Sequence, residues 1–140
     1  MRASIGHHPP PMDAMTPCPC GTGLAYAACC ARWHGGPQQL QAPDAEALMR
    51  SRYSAYVLGL TDYLRDTWAA ETRPAAVEPD PAGRRWLGLD IRRHARVDAD
   101  HATVEFVARS KLGGRAHRLH ETSRFERRDG RWVYLDGEIR

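Results

Sequence analysis

The sequence predicts an α+β fold in which helices pack on one face of a curved antiparallel sheet. Residues 44–68 carry apolar side chains at helical spacing, whereas residues 87–135 contain short stretches that alternate between apolar and polar side chains. Helices followed by consecutive strands are typical of an α+β domain. The 140 residues, 42% of them hydrophobic, suffice for one such core preceded by a small cysteine-rich segment.

All four cysteines lie between positions 18 and 30, with the spacing C-x-C-x8-C-C. Thiols at this spacing can surround one tetrahedral metal ion. Disulfides fit less well. Bridging Cys29 to Cys30, or Cys18 to Cys20, would close a very small ring, and crosswise bridges, although geometrically possible, would need an oxidising compartment. The sequence therefore predicts one structural Zn²⁺ per chain, bound by four sulfurs. Free or redox-active thiols are the alternative.

The residues between the cysteines suit a compact metal site. Gly21 and Gly23 permit the tight turn that carries Cys20 around the ion. Residues 24–28 are apolar and rich in alanine, which predicts one or two helical turns before the last two cysteines. We expect His34, just downstream, to be a surface or neighbouring residue rather than a fifth ligand.

A first long helix is predicted after a polar linker at residues 37–43. Asp44 is a suitable N-cap, and the helix is expected to run to about Leu58, with Gly59 as its C-terminal stop. Apolar side chains recur along it at steps of three and one. Its inward side is predicted to consist of Ala45, Leu48, Met49, Arg52, Tyr53 and Tyr56.

A second, shorter helix is predicted to follow directly. Thr61 is expected to cap it, and the helical pattern continues to about Trp68. Prolines interrupt residues 74–81, so we expect irregular structure there. A helical turn is expected near residues 84–85.

The second half of the sequence predicts a meander of antiparallel strands. Asp129-Gly130 is a strong two-residue hairpin signal, and residues 98–101 and Gly113-Gly114 are expected to form further turns. Alternation predicts sets of side chains that each share one face. These sets are Leu87, Leu89 and Ile91; Val104, Phe106 and Ala108; and Leu119, Glu121, Ser123 and Phe125.

Several stretches of the sequence are similar to a known bacterial family. The cysteine segment CPCGTGLAYAACC, at residues 18–30, resembles the SEC-C motif, a small zinc-binding element. Stretches farther along resemble, in the same order, the YchJ-like family of uncharacterised proteins. They are ALMRSRYSAY at 47–56, DYL at 62–64, TW at 67–68, WLGL at 86–89, FVAR at 106–109, ETSRF at 121–125 and WVYLDG at 132–137.

This resemblance implies a SEC-C element followed by a domain of the nuclear-transport-factor-2-like fold, a cone of helices on a curved sheet. It implies no particular activity, since the family has no established one. Many relatives carry a second cysteine motif after the last strand, which this sequence lacks, so a role that needs two zinc modules is not expected. The expected division is a disordered tail (1–14), a SEC-C zinc-binding element (15–36), a linker (37–43) and the nuclear-transport-factor-2-like domain (44–140).

Composition narrows the classes of function. The net charge of +3 is too small to indicate a nucleic-acid-binding protein. No apolar run approaches membrane-spanning length, so membrane insertion is not expected. Residues 1–14 hold no apolar stretch of signal-peptide length, which favours a cytoplasmic chain with reduced cysteines. A homodimer and a monomer are equally expected.

A candidate pocket is predicted between the helices and the sheet. Arg52 interrupts an otherwise apolar and aromatic helical stripe, and a buried guanidinium needs hydrogen bonds and a carboxylate. Glu121 is an available partner, and an Arg52–Glu121 pair could anchor an anionic ligand. A structural salt bridge, or an arginine that reaches solvent, is the alternative. The candidate pocket residues are Arg52, Tyr53, Tyr56, Trp68, Glu121 and Arg124, and a filled aromatic core is the other interpretation.

Two hypotheses of function follow. In the first, the chain is a binding or adaptor module whose zinc element presents a surface to a protein partner, and the cone is filled. In the second, the cone is a small-molecule-binding or enzymatic domain with an open cavity around Arg52 and Glu121. Motifs of the common enzyme classes are absent from the sequence, which favours binding over catalysis.

Overall fold

The computed structural model describes residues 15–140; the tail at 1–14, expected to be disordered, lies outside them. A 3-10 helix (Tyr26–Ala28) and helix α1 (Ala31–His34) belong to the cysteine segment. Helices α2 (Ala45–Leu58) and α3 (Thr61–Asp66) follow. The last four elements are strands β1 (Arg85–Asp98), β2 (His101–Leu112), β3 (Arg115–Arg128) and β4 (Arg131–Ile139). They form one antiparallel sheet in the order β1-β2-β3-β4, which confirms the α+β prediction.

Helix α2 begins and ends where the sequence predicts. The Asp44 side chain accepts a hydrogen bond from the backbone N–H of Ala47 at 2.8 Å, which satisfies one of the free donors of the first turn. Gly59 ends the helix in the left-handed conformation, with φ of 74°. Between these caps, Leu48 and Tyr53 are buried against the sheet.

Helix α3 differs from the prediction at both ends. Leu60 occupies the N-cap position without a side-chain cap, and Thr61 is the first helical residue. The helix ends at Asp66 rather than near Trp68, because the next residues pair with β4. Tyr134 donates its backbone N–H to the carbonyl of Thr67 and accepts from the N–H of Ala69, both at 2.8 Å.

Strand β1 begins at Arg85, so the expected helical turn at residues 84–85 is not formed. The expectation that Leu87 shares a face with Leu89 and Ile91 is also wrong. A register shift between Trp86 and Gly88 inserts an extra residue, and Leu87 is 51% exposed. Two further register shifts, at 91–93 and 96–98, interrupt the pairing of β1 with β2.

The hairpin turns are confirmed. Asp129 and Gly130 have φ of 51° and 79°, and Gly113 and Gly114 have φ of 59° and 76°. Positive φ at both central residues matches the right-handed twist of the flanking strands. The inward residues of β2 and β3 form the core with α2 and α3; its largest members with under 2% exposure are Phe125, Leu48, Leu64 and Val104. Within residues 15–140, every helix is too short or too polar to span a bilayer.

The N-cap of α2 is open to a direct test. Replacing Asp44 with Ala should lower the free energy of unfolding by about 1 kcal/mol, because a backbone donor loses its acceptor. Urea denaturation followed by circular dichroism measures this change. Asp44→Asn is the matched control, since its side-chain oxygen can still accept, and it should unfold close to the native midpoint. Equal destabilisation by both variants would contradict the capping role.

Candidate functional site

The four cysteines converge on one small volume. Their sulfur atoms all lie within 4.8 Å of one another, and none of the four residues is more than 5% exposed. All four are free thiols, and the Cys20 and Cys29 sulfurs are 3.5 Å apart. Four sulfurs at Zn–S distances of about 2.3 Å lie roughly 3.8 Å apart in a tetrahedron. The cluster therefore could hold one metal ion with little rearrangement.

Local backbone structure brings these sulfurs together. The Cys18 N–H donates to the Leu24 carbonyl at 2.8 Å, which closes a short loop around the first two cysteines. Gly21 and Gly23 both have φ of 87°, a conformation that glycine adopts without a Cβ clash. The 3-10 helix at Tyr26–Ala28 then delivers the last two cysteines.

Hydrogen bonds among the thiols decide which of them ionises. Contacts with Cys20 and Cys30 hold the pKa of the Cys18 thiol well below its usual range. The contact with Cys18 raises the pKa of Cys20 to about 11, and contacts with Cys18 and Cys20 raise the pKa of Cys30 strongly. The metal-free cluster thus favours one thiolate that accepts from its neighbours. Ionising all four thiols requires a cation to offset the charge.

Polar contacts attach the cysteine segment to helix α2. The Ser54 hydroxyl lies 3.6 Å from the Cys18 sulfur, and both groups are buried. Arg50 donates to the Cys20 carbonyl at 2.8 Å and to Glu46 at 3.1 Å. The turn also rests on the sheet, since a Cβ at Gly21 would lie 3.6 Å from a β1 carbonyl.

His34 lies outside the sulfur cluster, as expected, but it is a partly buried connection between the segment and the domain. Its Nε2 lies 2.9 Å from the Ser51 carbonyl, so Nε2 carries the proton and donates. Its Nδ1 then accepts from the Tyr26 hydroxyl at 2.7 Å. The ring packs edge-on against Tyr63, and burial lowers the pKa of His34, which keeps it neutral.

A second site is a cavity of about 490 Å³ between helix α2 and the inner face of the sheet. It is open to solvent on one side, so the filled cone expected for an adaptor is not formed. Five of the six predicted pocket residues line it: Arg52, Tyr53, Tyr56, Trp68 and Glu121. The others on its wall are Met49, Asp80, Arg84, Trp86, Phe106, Ala108, Ser110, His117, Arg118, Leu119, Ser123 and Tyr134.

Arg124 was predicted to lie in the pocket and does not. Successive side chains of a strand point to opposite faces, and Ser123 and Phe125 are the inward neighbours of Arg124. Arg124 lies on the outer face, where its guanidinium donates twice to the Asp136 carboxylate at 2.6 Å. This pairing holds the pKa of Asp136 below its usual range.

Arg52 is buried, yet among the described residues it makes no direct ion pair with Glu121, which attracts it only through space. The guanidinium donates to the Leu64 carbonyl at 2.8 Å and to the Thr67 hydroxyl at 2.7 Å. It also lies over two aromatic rings, 4.9 Å from the centroid of Trp68 and 4.7 Å from that of Tyr134. Burial lowers the pKa of Arg52, but a guanidinium starts so high that it remains charged.

Glu121 is held on the sheet side of the cavity. Its Oε2 accepts from the Ser123 hydroxyl at 2.6 Å and from the Tyr134 hydroxyl at 3.3 Å. Burial and the nearby Glu121 raise the pKa of Tyr134, so the phenol stays protonated and can donate. Sequence reasoning placed Tyr134 on a strand without assigning its face. Side chains two residues apart on a strand share a face, so Trp132, which is buried, could have placed Tyr134 on the inner face.

The proline-broken segment before β1, together with the start of that strand, forms a further wall. Trp86 donates its Nε1–H to Asp80 at 2.7 Å, and Arg84 donates to the Ser110 hydroxyl at 2.7 Å. The buried Nε of Arg84 and the buried Nε1 of Trp68 have no acceptor among residues 15–140. Sequence reasoning missed Asp80 and Arg84, because an irregular segment has no periodicity from which to infer direction.

Comparison with known families is consistent with this arrangement. Residues 16–32 match the family model of the SEC-C motif. Residues 44–137 match the family model described as the middle NTF2-like domain of YchJ. The two matches cover the cysteine segment and the helix-and-sheet domain in turn.

Curated relatives are similar over nearly their whole length. The chain is 62% identical over 131 residues to a UPF0225 protein of Methylibium petroleiphilum, covering 94% of each chain. It is 56% identical over 130 residues to a UPF0225 protein of Bordetella parapertussis, covering 93% of this chain and 98% of the relative.

Two solved structures share the fold. A SEC-C motif containing protein from Rhodopseudomonas palustris, solved in solution, has a TM-score of 0.74 and 33% identity, covering 86% of this chain and 96% of its own. The crystal structure of a SEC-C motif containing protein from Psychrobacter arcticus has a TM-score of 0.75 and 30% identity. The match covers 91% of this chain and 84% of the Psychrobacter chain.

The sulfur cluster can be tested through its ligands. Replacing Cys29 and Cys30 together with Ser should abolish metal binding, as measured by elemental analysis of the purified protein. It should also lower the stability of the whole domain by several kcal/mol, since structural metal sites in small domains contribute about 10 kcal/mol or more. Ser54→Ala is the control, because it keeps all four sulfurs and should retain the metal. Full metal content in the double cysteine variant would refute the ligand assignment.

Proposed function

This chain belongs to the YchJ family of UPF0225 proteins with a SEC-C motif, and on that premise we propose that it binds a small organic anion in its cavity. The observation that carries the proposal is the buried guanidinium of Arg52, which lines the cavity without a direct carboxylate partner. A buried cation of this kind favours an anion that enters beside it. The cavity volume of about 490 Å³ lies within the range of small-molecule sites.

The walls favour an anion with an apolar or aromatic body. Tyr53, Tyr56 and Trp86 present ring surfaces, and Tyr53 packs edge-on against Trp86 at 5.5 Å. Planar ligands gain contact area against such rings at little entropic cost. The polar and charged groups of the cavity lie at separate positions on its wall, so they would orient the ligand rather than solvate it.

Donors without acceptors support an oxygen-rich charged group. Arg84 lines the cavity with only 20% of its side chain exposed, and its Nε has no acceptor among the described residues. Its nearest carboxylate oxygen, on Asp80, is 3.9 Å away, which is too far for a hydrogen bond. A carboxylate, sulfonate or phosphate group beside the Arg84 guanidinium would accept from it in place of this loose contact with Asp80.

We also propose that the metal is a single structural zinc ion per chain. Four thiolates fill every position of a tetrahedral ion, and such closed sites stabilise a fold rather than activate water. Polar contacts join the cysteine segment to helix α2: Ser54 and Arg50 contact it from the helix, and His34 of the segment contacts Ser51. They support this role, because they make the segment part of the domain.

Elemental analysis tests the identity of the metal. Protein purified without added metal should contain one zinc per chain, because four thiolates in a closed site bind zinc strongly. Iron in equal amount, or zinc far below one per chain that added zinc does not restore, would contradict the proposal.

A protein partner for the cysteine segment is the second candidate function. The observation that favours it is Leu24, which is 50% exposed on the segment while all four cysteines are buried. A rigid metal-bound loop would present this side chain to another protein at little entropic cost. The titration described next distinguishes the two, because a chain that acts only as an adaptor has no reason to select an anion in its cavity.

Isothermal titration calorimetry with three matched naphthalene probes tests the anion site. Naphthoate should bind about tenfold or more tightly than the neutral naphthamide, because hydrogen bonds to charged groups contribute about 1.5–3 kcal/mol. The cation naphthylmethylammonium should bind weakest. Equal binding of all three, or no binding of any, would refute the proposal.

Variants locate the site. Arg52→Met should remove the preference for naphthoate, and Arg84→Met provides a second test if the first variant folds poorly. Arg73→Met is the control, because Arg73 is exposed and does not line the cavity. Unchanged naphthoate binding in both Arg52→Met and Arg84→Met would place the anion elsewhere.

A further inference from the structure

We propose that Glu121 determines the ligand class of the cavity by accepting a hydrogen bond from a hydroxyl or N–H group that the ligand carries in addition to its anionic group. The site then selects hydroxylated or amino-substituted organic acids over plain acids. This inference rests on the proposed anion site, and it concerns the opposite wall of the same cavity, on β3.

One oxygen of Glu121 is occupied and the other is available. Oε2 accepts from Ser123 at 2.6 Å and from Tyr134 at 3.3 Å, whereas Oε1 has no hydrogen-bond partner among residues 15–140. A carboxylate can accept about four hydrogen bonds, so Oε1 retains its full capacity. Since Glu121 lines the cavity, a bound molecule can use that capacity.

The carboxylate is fixed by more than its two donors. Gly137 pairs with Ser123 across the strands, and a Cβ at this position would overlap the carboxyl group of Glu121. The backbone of Gly137 does not have a positive φ, so any residue could adopt it. Glycine is therefore needed at position 137 to leave space for the Glu121 carboxyl group, and not to allow an unusual backbone conformation. Gly137 is a positioning residue that lets Glu121 lie across β4.

A carboxylate inside an anion site also discriminates between ligands. Its charge repels a plain acid, which weakens the binding that Arg52 and Arg84 provide. A ligand that places a donor against Oε1 gains a charge-assisted hydrogen bond, which offsets this repulsion. Sites built to pair with a polar group reject analogues that lack it, because the protein group is then left unpaired.

Calorimetry with three kinds of naphthoate provides the test. The probes are naphthoate, a set of hydroxynaphthoates with the hydroxyl on the ring remote from the carboxylate, and the matching methoxynaphthoates. At least one hydroxynaphthoate should bind about tenfold more tightly than naphthoate. Its methoxy analogue, which has the same oxygen but no proton to donate, should show no gain.

Two variants then assign the effect to Glu121. Glu121→Met should abolish the preference for the hydroxyl and tighten naphthoate binding, because it removes both the acceptor and the repelling charge. Gly137→Ala should do the same by displacing the carboxylate without altering any polar group. The control is Gly35→Ala, where the backbone is extended and a Cβ would meet nothing within 4 Å. A variant that is damaged in general would bind naphthoate and hydroxynaphthoate more weakly by the same factor. The ratio of the two affinities would then stay as in the native protein.

The outcomes separate this inference from the proposed function. Tight naphthoate binding with equal affinity for the hydroxy and methoxy probes would overturn the role of Glu121 and leave the anion site standing. A hydroxyl preference that persists in both Glu121→Met and Gly137→Ala would also overturn it. Absence of binding by every probe would overturn the anion site and this inference together.

Discussion

Packing of the cysteine segment against helix α2 joins the two candidate sites into one structure. Arg50 and Ser54 contact the segment from α2, while Arg52 and Tyr53 on the same helix line the cavity. The four cysteines belong to the same buried cluster as the aromatic core. Interiors are close-packed and transmit small shifts. The position of the helix that forms one wall of the cavity therefore depends on whether the cysteine segment is ordered.

The buried charge of Arg52 is stabilised without a salt bridge. A carbonyl, a hydroxyl and two aromatic faces surround the guanidinium, and each is neutral. A buried ion pair would have neutralised both partners and removed the electrostatic character of the cavity. With neutral direct contacts, and with Glu121 attracting it only through space, Arg52 remains a source of positive potential. Glu121 is likewise held by two hydroxyls, so the cavity keeps a separate cation and a separate carboxylate.

The features that the sequence predicts well are those with local causes. Asp44 and Gly59 fix the ends of α2 through their own backbone and side chain, and Asp129-Gly130 requires a particular turn. The errors arise where a distant contact decides. Tyr134 pairs with residues 67–69 and ends α3 early, and a bulge turns Leu87 outward. Arg52 finds its acceptors on α3 rather than on β3, because the end of a short helix offers free carbonyls.

The irregular pairing of β1 affects how copies of the chain meet one another. β1 is an edge strand, and such an edge exposes unpaired backbone groups that invite strand addition from another molecule. Three register shifts distort it, and arginines at positions 92, 93 and 96 are exposed along it. A kinked, positively charged edge is a poor template for a flat neighbouring strand. This side of the sheet is therefore protected against edge-to-edge aggregation by its own irregularity.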